Sequence, residues 1–439
     1  MKRRVALAVA TALAAAGLGT AQWAGASSTT PGTSTPTAGV RDGGTIVLDW
    51  DRALLRLVGT PGAQPATVHP TRSFAILQAA IYDAVVSVTG GGRPYLFSER
   101  APRGTRPDAA AAAAGHDTLA ALYPGAKSEI DGLLAAELGA MPDGPGKIDG
   151  AGMGQHIAAR LLAARADDGA LAPGAPVAPG TSPGSYRPAP PKFAPPVFTG
   201  WGGVSPFVLT GPSQFRPAPP PPLQSSVYAR AVNEVRDKGR DIAPARTADQ
   251  TAAAQFWSAP IWNYWNEIAE GAASGHRTDL VRTARLFAVL DLTLADDVIV
   301  FYDAKYDYAV WRPVTAIREA DGDGNPRTAG DPTWNPLAAT PADPSYPGAH
   351  SAESAAAATV LVSFFGDHDR LRVASEVVPG AVRTFRSYQA AAAEAGLSRI
   401  YAGVHTRLDH RAGAVLGKRV ATFVLRQSLS RRFGPSSRG

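Results

Sequence analysis

The feature that most restricts the fold of this 439-residue chain is a proline-rich segment near its middle. Residues 173–222 hold 16 of the 38 prolines. Because proline lacks a backbone N–H and fixes φ, this density excludes helices and central strands there. Large aromatic residues recur within the segment, which favours an ordered, irregular strap packed on the protein: Phe193, Phe198, Trp201, Phe207 and Phe215. An interdomain linker is the alternative, since long irregular segments often serve as linkers.

Apolar residues on both sides of this Pro-rich strap recur with helical spacing. One stripe follows Pro70 at a plausible first turn and consists of Phe74, Leu77, Ile81, Val85 and Val88. Further helices are predicted at 109–123, 126–141, 147–166 and 278–311, after the capping box at 247–250, and as two helices within 379–426. Strands do not alternate with helices anywhere. The pattern therefore predicts an all-α fold, a large helical bundle forming a single domain over 40–439.

The N-terminus has the pattern of a secretory signal peptide. Lys2, Arg3 and Arg4 precede an apolar run, and 24–26 is a small-x-small cleavage site, so residues 1–26 are predicted to be removed and the protein to be secreted. An uncleaved membrane anchor is the alternative, and Sec and Tat export are both open. Residues 27–39, rich in Ser, Thr, Pro and Gly, are predicted to be a disordered leader. No stable membrane span is expected after signal removal.

Composition excludes several kinds of site. The chain has no cysteine, which rules out Cys nucleophiles, iron–sulfur clusters and Cys-ligated zinc. The formal net charge is +6, but the three positive residues at the N-terminus account for half of it. No Lys/Arg run with interleaved aromatics is present, so nucleic acid is not an expected partner.

Three short segments in the last third of the chain carry the residues suited to binding anions. In the first, Lys305 and Arg312 are seven residues apart in a predicted helical run, so both are expected on one helix face. Two neighbouring cations repel each other unless they share an anion. A solvated basic face is the alternative, and the aromatic residues around the pair weaken it.

The second segment covers residues 345–351. Pro347, Gly348 and Ala349 come directly before a predicted helix, with His350 at its start. Free N–H groups at the positive end of a helix form an anion site, and an imidazole there can act as general acid or base. The alternative is an ordinary Pro-Gly turn with His350 as a cap.

The third segment carries Arg399, His405 and Asp409. Arg399 can bind an oxyanion through its planar fork, and His405 is expected close to the same helix face. Asp409, one turn later, is placed to hold the second nitrogen of the imidazole. A surface helix with i,i+4 charge pairs is the alternative, and it fits Arg407 and Arg411 better.

Together these segments supply three cations, backbone N–H groups and two histidines. A trianionic tetrahedral oxyanion needs this set: cations to neutralise it, one imidazole to bond its central atom and another to move protons. The sequence therefore predicts an oxyanion site within residues 298–426.

The order and spacing of the three segments resemble the vanadium haloperoxidase and type-2 acid phosphatase superfamily. Its pattern is K-x6-R-P, P-S-G-H and S-R-x5-H-x3-D, and the first and third motifs match in full. The similarity extends to residues 50–57, 74–88, 214–216 and 250–257, and is to the secreted bacterial haloperoxidase branch.

The resemblance implies roles for eight residues. Those that bind a vanadate cofactor, vanadium(V), would be Lys305, Arg312, Gly348, Ala349 and Arg399. His405 would be the axial ligand of vanadium, Asp409 would orient it, and His350 would be the acid–base residue.

The implied reaction is oxidation of a halide by hydrogen peroxide to a hypohalous-acid-like species, which halogenates an organic acceptor. An acid phosphatase or phosphotransferase using His405 as nucleophile is the alternative on the same site. An inactive oxyanion-binding homologue is the third. Halide preference, organic substrate and oligomeric state are left open by the sequence.

Two local features qualify these expectations. Gly348 stands where the family pattern has serine, which removes a hydroxyl donor worth roughly 1.5–3 kcal/mol to a charged acceptor. The 321–325 segment, Asp-Gly-Asp-Gly-Asn, resembles the start of a calcium loop but lacks the later glycine and glutamate. A polar turn is the preferred interpretation there, and a single structural cation is the alternative.

Overall fold

Helices supply almost all of the regular structure, as the apolar spacing predicts. The computed structural model describes residues 44–429, so the predicted signal peptide and leader lie outside the described residues. Within that range there are thirteen α-helices. They are α1 Gly44–Gly59, α2 Pro70–Thr89, α3 Pro107–Leu122, α4 Lys127–Gly139, α5 Pro145–Ala164, α6 Ser226–Lys238, α7 Ala248–Phe256, α8 Ile261–Gly275, α9 Leu280–Tyr308, α10 Pro313–Arg318, α11 Ala349–Phe365, α12 Tyr388–Tyr401 and α13 Arg407–Leu429. The all-α prediction is confirmed, and none of these helices is long and apolar enough to span a membrane.

Two short strands precede α12, and the second of them lies where helix was predicted from residue 379. Strand β1, Leu371–Ala374, pairs antiparallel with β2, Val382–Phe385, so that Leu371 lies opposite Phe385. Glycine at position 380 takes a positive φ of 78° between them. The prediction of helix over 379–387 is therefore wrong, and helix resumes only at Tyr388, where Ser387 accepts a hydrogen bond from the backbone N–H of Ala390 as N-cap.

The longest helix, α9, forms the centre of the protein. Its 29 residues are buried along most of their length, and Asp279 caps its first turn by accepting from the backbone N–H of Arg282. The helix ends at Tyr308 because Ala309 adopts a left-handed conformation with φ 44°. Its last turn carries Lys305 into the interior.

Helices α11 and α13 cross at very short range because two glycines of α13 face α11. A Cβ added at Gly413 would lie 2.3 Å from the carbonyl oxygen of Gly348, and one at Gly417 would lie 1.9 Å from that of Ala352. Any side chain there would force the helices apart. This contact holds the start of α13 against the start of α11.

The Pro-rich strap is an ordered part of the protein, as predicted. Its residues Tyr186, Trp201 and Phe207 are buried. The backbone N–H of Tyr186 donates to the carbonyl of Ala309 at 2.6 Å, and the side chain of Asp296 in α9 accepts from the N–H groups of residues 207–209. Residues 44–429 belong to one compact unit, so these contacts tie the strap to α9 rather than leaving it as a free linker.

Two buried carboxyl groups between α9 and α11 have an expected effect on stability. Asp297 and Glu353 are almost fully buried, and both side-chain oxygens of Asp297 lack a hydrogen-bond partner among the described residues. Burial, with a further contribution from the Asp296 carboxylate, raises the pKa of Asp297 well above its ordinary value. The folded protein therefore favours the protonated carboxyl of Asp297. Its contribution to the free energy of unfolding is present at low pH and is lost as pH rises through the raised pKa.

We expect Asp297→Asn to match the parent protein below about pH 4, where an aspartate is protonated in both the folded and the unfolded state, and to become more stable than it as pH rises, by on the order of 1 kcal/mol or more. Urea unfolding at several pH values measures this. Asp167→Asn, at an exposed position, is the control and should leave the pH dependence unchanged. A stability difference that does not grow with pH would contradict the prediction.

Candidate oxyanion site

Lys305 and Arg312 come together through a turn and not through a shared helix face. Lys305 is fully buried in the last turn of α9, whereas Arg312 lies beyond the helix in extended backbone, at the N-cap of α10. The left-handed Ala309 reverses the chain between them. The prediction that both cations share one helix face is wrong, although both do lie at the same site.

Asp343 lies between these two cations. Lys305 Nζ is 3.1 Å from Asp343 Oδ2. Arg312 donates from Nη2 to Asp343 Oδ1 and from Nε to the Asp343 carbonyl at 2.7 Å. Burial opposes ionisation of Asp343, but the charges of Lys305 and Arg312 lower its pKa to about 2. Burial also lowers the pKa of Lys305 to about 8, despite the opposing charge of Asp343.

Arg399 is the third cation, and its surroundings differ from those of the first two. It projects from α12 and donates from Nη1 to the carbonyl of Trp257 at 3.3 Å. Within residues 44–429, no carboxylate lies at ion-pair distance from this buried guanidinium. Burial and the nearby charge of Arg312 lower the pKa of Arg399 to about 10. A buried cation without a counter-ion favours an anionic ligand.

The start of α11 lies beside these cations, but the N–H of Gly348 is not free as the sequence led us to expect. Gly348 is the N-cap, but its N–H donates to the carbonyl of Asp409 at 3.0 Å and so does not face a ligand. The Gly348 N–H is therefore engaged within the protein, and oxyanion binding by this backbone group stays a prediction. Ala349 is the first residue of α11, where an N–H has no acceptor within the helix.

His350 follows in the first turn of α11 and is held as a neutral ring. Its Nε2 donates to the carbonyl of Trp257 at 3.0 Å, the carbonyl that also accepts from Arg399. Burial, together with the charge of Arg399 and an electrostatic interaction with His405, lowers the pKa of His350 well below its ordinary value. With the proton on Nε2, Nδ1 is the basic atom of the ring.

His405 lies in the loop between α12 and α13, outside either helix, while Asp409 is in the first turn of α13. His405 Nδ1 is 3.4 Å from Asp409 Oδ2, which also accepts from the N–H of Thr406 at 2.6 Å and the hydroxyl of Ser345 at 2.8 Å. His405 Nε2 is 3.3 Å from Arg312 Nη1. Burial and Arg312 lower the pKa of His405 to about 4, against the opposing effect of Asp409. The neutral ring therefore carries its proton on Nδ1 and turns the Nε2 lone pair towards the cations.

The predicted binding residues thus converge on one buried region. Arg312 contacts His405 directly, and the Trp257 carbonyl joins Arg399 to His350. The fixed charges are three cations and the carboxylates of Asp343 and Asp409, with both imidazoles neutral. This arrangement can bind a tetrahedral anion and present one imidazole nitrogen to its centre.

An aromatic cluster borders this region, and the sequence pattern gave no reason to expect it. The His69 ring, at the N-cap of α2, is surrounded by Phe198 and Trp201 of the strap, with ring-centroid distances of 5.1 and 5.9 Å, and by Trp262 at 4.6 Å and Tyr302 at 6.0 Å. Burial lowers the pKa of His69 to about 3, with the charge of Asp343 acting against it. His69 is the N-cap of α2, directly before Pro70. No local sequence motif marks His69, Trp257 or Asp343 as neighbours of the predicted oxyanion site.

The loop at 321–325 is held by its own hydrogen bonds. Asp323 accepts from the N–H of Asn325 at 2.7 Å and from the hydroxyl of Thr328. Asn325 donates to the carbonyls of Leu223 and Ser225. In the part of the chain that the structure describes, no group of three or more His, Asp or Glu residues is arranged to hold a metal ion. These contacts agree with the polar turn that was the preferred interpretation.

Comparison with known proteins agrees with this geometry. Residues 285–432 match the family model described as the VCPO second helical-bundle domain. A curated relative, the vanadium chloroperoxidase of Curvularia inaequalis, is 25% identical over a match that covers 37% of this chain and 37% of that protein. Over residues 285–432 the chain is therefore similar to a domain of the vanadium haloperoxidases. The segment matched by the family model contains every residue predicted for the oxyanion site, whereas His69, Trp257 and the Pro-rich strap lie outside it.

Solved structures of vanadium haloperoxidases share the fold over most of the chain. A bacterial vanadium-dependent iodoperoxidase superposes with a TM-score of 0.73 at 24% identity, covering 87% of this chain and 95% of that one. A bacterial vanadium-dependent chloroperoxidase, in a structure described as apo-type, gives 0.65 at 17% identity, covering 84% and 95%. The likeness therefore includes the helices before residue 285 as well as the matched bundle.

Proposed function

We propose that this protein is a vanadate-dependent haloperoxidase, which oxidises a halide with hydrogen peroxide to a species that halogenates an organic acceptor. The observation that carries the proposal is the neutral His405, whose Nε2 is directed towards buried cations while Asp409 holds Nδ1. The vanadium-dependent relatives support it. Export guided by residues 1–26 is part of the proposal, and the mass of the protein recovered from culture medium tests it.

The donor set suits vanadate. Arg399 is buried without a carboxylate at ion-pair distance in the described chain, and it retains guanidinium donors for an anion. Lys305 and Arg312 add two further positive charges. The Nε2 lone pair of a neutral imidazole is the usual ligand for a metal centre. Three cations and one such nitrogen would suit a tetrahedral oxyanion with a metal centre.

When bound, vanadate would supply the Lewis-acidic centre that activates peroxide for halide oxidation, without a change in the oxidation state of vanadium. The chain's own residues hold and orient it. Lys305, Arg312 and Arg399 would bind the oxyanion's oxygens, and burial would strengthen each of these contacts by excluding water. Asp409 and the hydroxyl of Ser345 fix the ring of His405.

His350 is positioned to move a proton. The Trp257 carbonyl accepts from its Nε2–H, which leaves Nδ1 as the atom that takes up a proton from the substrate side. Its depressed pKa makes the ring a base that is not already protonated at neutral pH. A proton bound at Nδ1 is readily returned, since Arg399 and His405 disfavour the imidazolium.

Phosphate-ester hydrolysis is the second candidate, favoured by the same observation. A neutral Nε2 beside three cations is also placed to attack phosphorus, because phosphate and vanadate share shape and charge. An oxyanion-binding homologue without activity is the third candidate. Binding alone would not need a proton-transfer group, so the buried, neutral His350 favours the two enzymes over this third candidate.

Adding orthovanadate to purified, vanadate-free protein is expected to create peroxide-dependent bromide oxidation. Each preparation is also assayed for hydrolysis of p-nitrophenyl phosphate. Bromide oxidation that rises with vanadate and saturates at one equivalent supports the haloperoxidase. Hydrolysis that vanadate inhibits, without bromide oxidation, supports the phosphatase. Saturable vanadate binding with neither activity would leave the inactive homologue.

A further inference from the structure

Asp343 adds a second carboxylate to the site, beside Lys305 and Arg312, whereas the Asp409 carboxylate lies at His405. The carboxylate is almost completely buried and ion-paired with Lys305 at 3.1 Å and with Arg312. These are the two cations that the site would use against an oxyanion. Their donors therefore already have an anion, and that anion belongs to the protein.

The donors of Arg312 are almost fully occupied in this arrangement. Nη2 donates to Asp343 Oδ1, Nε to the Asp343 carbonyl, and Nη1 to the Val404 carbonyl at 2.9 Å, with His405 Nε2 at 3.3 Å. Lys305 Nζ likewise donates to backbone carbonyls of the Asp343 loop. A tetrahedral oxyanion that binds both cations must therefore compete with the Asp343 carboxylate and with backbone carbonyls for their donors.

Arg399 contrasts with that pair. In the described chain it has no carboxylate at ion-pair distance, and its Nη1 donates one hydrogen bond to the Trp257 carbonyl. An incoming anion therefore meets Arg399 with its charge uncompensated, and Lys305 and Arg312 with theirs compensated.

The backbone around Asp343 is anchored independently of its side chain. The N–H of Val197 in the Pro-rich strap donates to the Ala342 carbonyl at 2.9 Å, and Arg312 Nε holds the Asp343 carbonyl. The carboxylate can thus leave the cations by side-chain rotation while the loop stays in place.

We propose that Asp343 is an internal competitor for oxyanions: a tetrahedral anion docks first at Arg399 and then displaces the Asp343 carboxylate from Lys305 and Arg312. The inference rests on the proposed oxyanion site but not on the reaction carried out there. Removing the Asp343 charge should therefore tighten oxyanion binding, most of all for the more highly charged anions.

The test is calorimetric binding of orthovanadate, tungstate and phosphate to the vanadate-free full-length protein and to Asp343→Asn. Asparagine keeps the size of the side chain and removes its charge. We expect affinity to rise about tenfold or more in the variant, and the gain for phosphate to grow as pH rises from 6 to 8 and the dianion replaces the monoanion. Unchanged or weaker binding would overturn the proposal, because a purely structural ion pair would disorder the site when broken.

Asp168 offers a matched control. It is a buried aspartate that bridges two arginines, with Arg72 Nε at 2.7 Å and Arg165 Nε at 3.0 Å from Oδ2. Asp168→Asn should lower thermal stability without tightening anion binding, whereas Asp343→Asn should lower the stability of the anion-free protein and show a larger stabilisation by vanadate. Equal tightening in both variants would count against the proposal. If Asp343→Asn does not fold, Asp343→Ser is measured in the same way and must show the same sign.

The outcomes separate this inference from the proposed function. Vanadate binding without bromide oxidation would refute the proposed haloperoxidase function. The role of Asp343 would then still be tested by the ratio of the vanadate affinities of Asp343→Asn and the parent. If the parent binds no oxyanion but Asp343→Asn does, the masking role of Asp343 is supported. If neither binds, both proposals fail.

Discussion

Replacing His405 with alanine is expected to lower vanadate-dependent bromide oxidation by about a thousandfold or more. His405 is the neutral imidazole whose Nε2 faces Arg312. Asp409 holds its Nδ1, and the Ser345 hydroxyl and the Thr406 N–H both donate to the same Asp409 oxygen and so fix the carboxylate. Alanine removes the only nitrogen that this loop directs at the cations. Steady-state bromide oxidation at saturating vanadate, with bound vanadium measured by elemental analysis, gives the result.

His410 provides the control for that substitution. It lies on α13, contacts the hydroxyl of Ser351 at 2.9 Å, and also has a pKa lowered to about 4, chiefly by burial and then by Arg407 and Arg411. His410→Ala should keep the parent's activity within a few-fold, because its ring contacts none of the predicted oxyanion-binding residues through a hydrogen bond in the described structure. Parental activity in His405→Ala, or an equal loss in His410→Ala, would contradict the assignment of His405.

Replacing Arg399 with methionine is expected to weaken oxyanion binding by about a hundredfold or more and, at the same time, to stabilise the anion-free protein. The two effects have one cause. Burial and Arg312 lower the pKa of Arg399 to about 10, so the folded state carries the charged form at a cost at neutral pH. Methionine fills the volume without the charge, while the anion loses the guanidinium that it would meet first.

Thermal unfolding with and without orthovanadate measures both effects in one experiment. Arg399→Met should melt higher than the parent without vanadate and gain little when vanadate is added. Arg407→Met is the control: Arg407 is only partly buried and already paired with Glu234, so vanadate should stabilise that variant as it does the parent. A lower melting temperature for Arg399→Met with an undiminished vanadate shift would refute the role given to Arg399.

The positions of most helices could be predicted from the sequence because helical periodicity is local. The stripe after Pro70 and the capping box at Thr247, where Thr247 and Gln250 bond each other's backbone N–H groups, both occur as predicted. Errors arose where the outcome depends on a distant partner. Strand β2 pairs with β1, and no local pattern distinguishes it from the helix that follows.

The sequence by itself determined which chemical groups the site contains: Lys305, Arg312, His350, Arg399, His405 and Asp409 all lie in the predicted region. Spacing within a motif is a local property, so it can be recognised without the fold. Only the tertiary structure decided how those groups face one another. The turn at Ala309, and not a shared helix face, brings Lys305 and Arg312 together, and the Gly348 N–H is used by Asp409 instead of a ligand.

Asp343 is the site residue that was least expected from the sequence. It lies 38 residues after Lys305 and 31 after Arg312 in a loop without periodicity, so nothing local marks its carboxylate as the partner of both cations. Its role depends on a long-range contact in a buried, low-dielectric region, where one charge changes the electrostatic balance of the whole site. The residues of the predicted oxyanion site could therefore be identified from residue types and spacing, while the carboxylate that pairs with two of its cations was set by the fold.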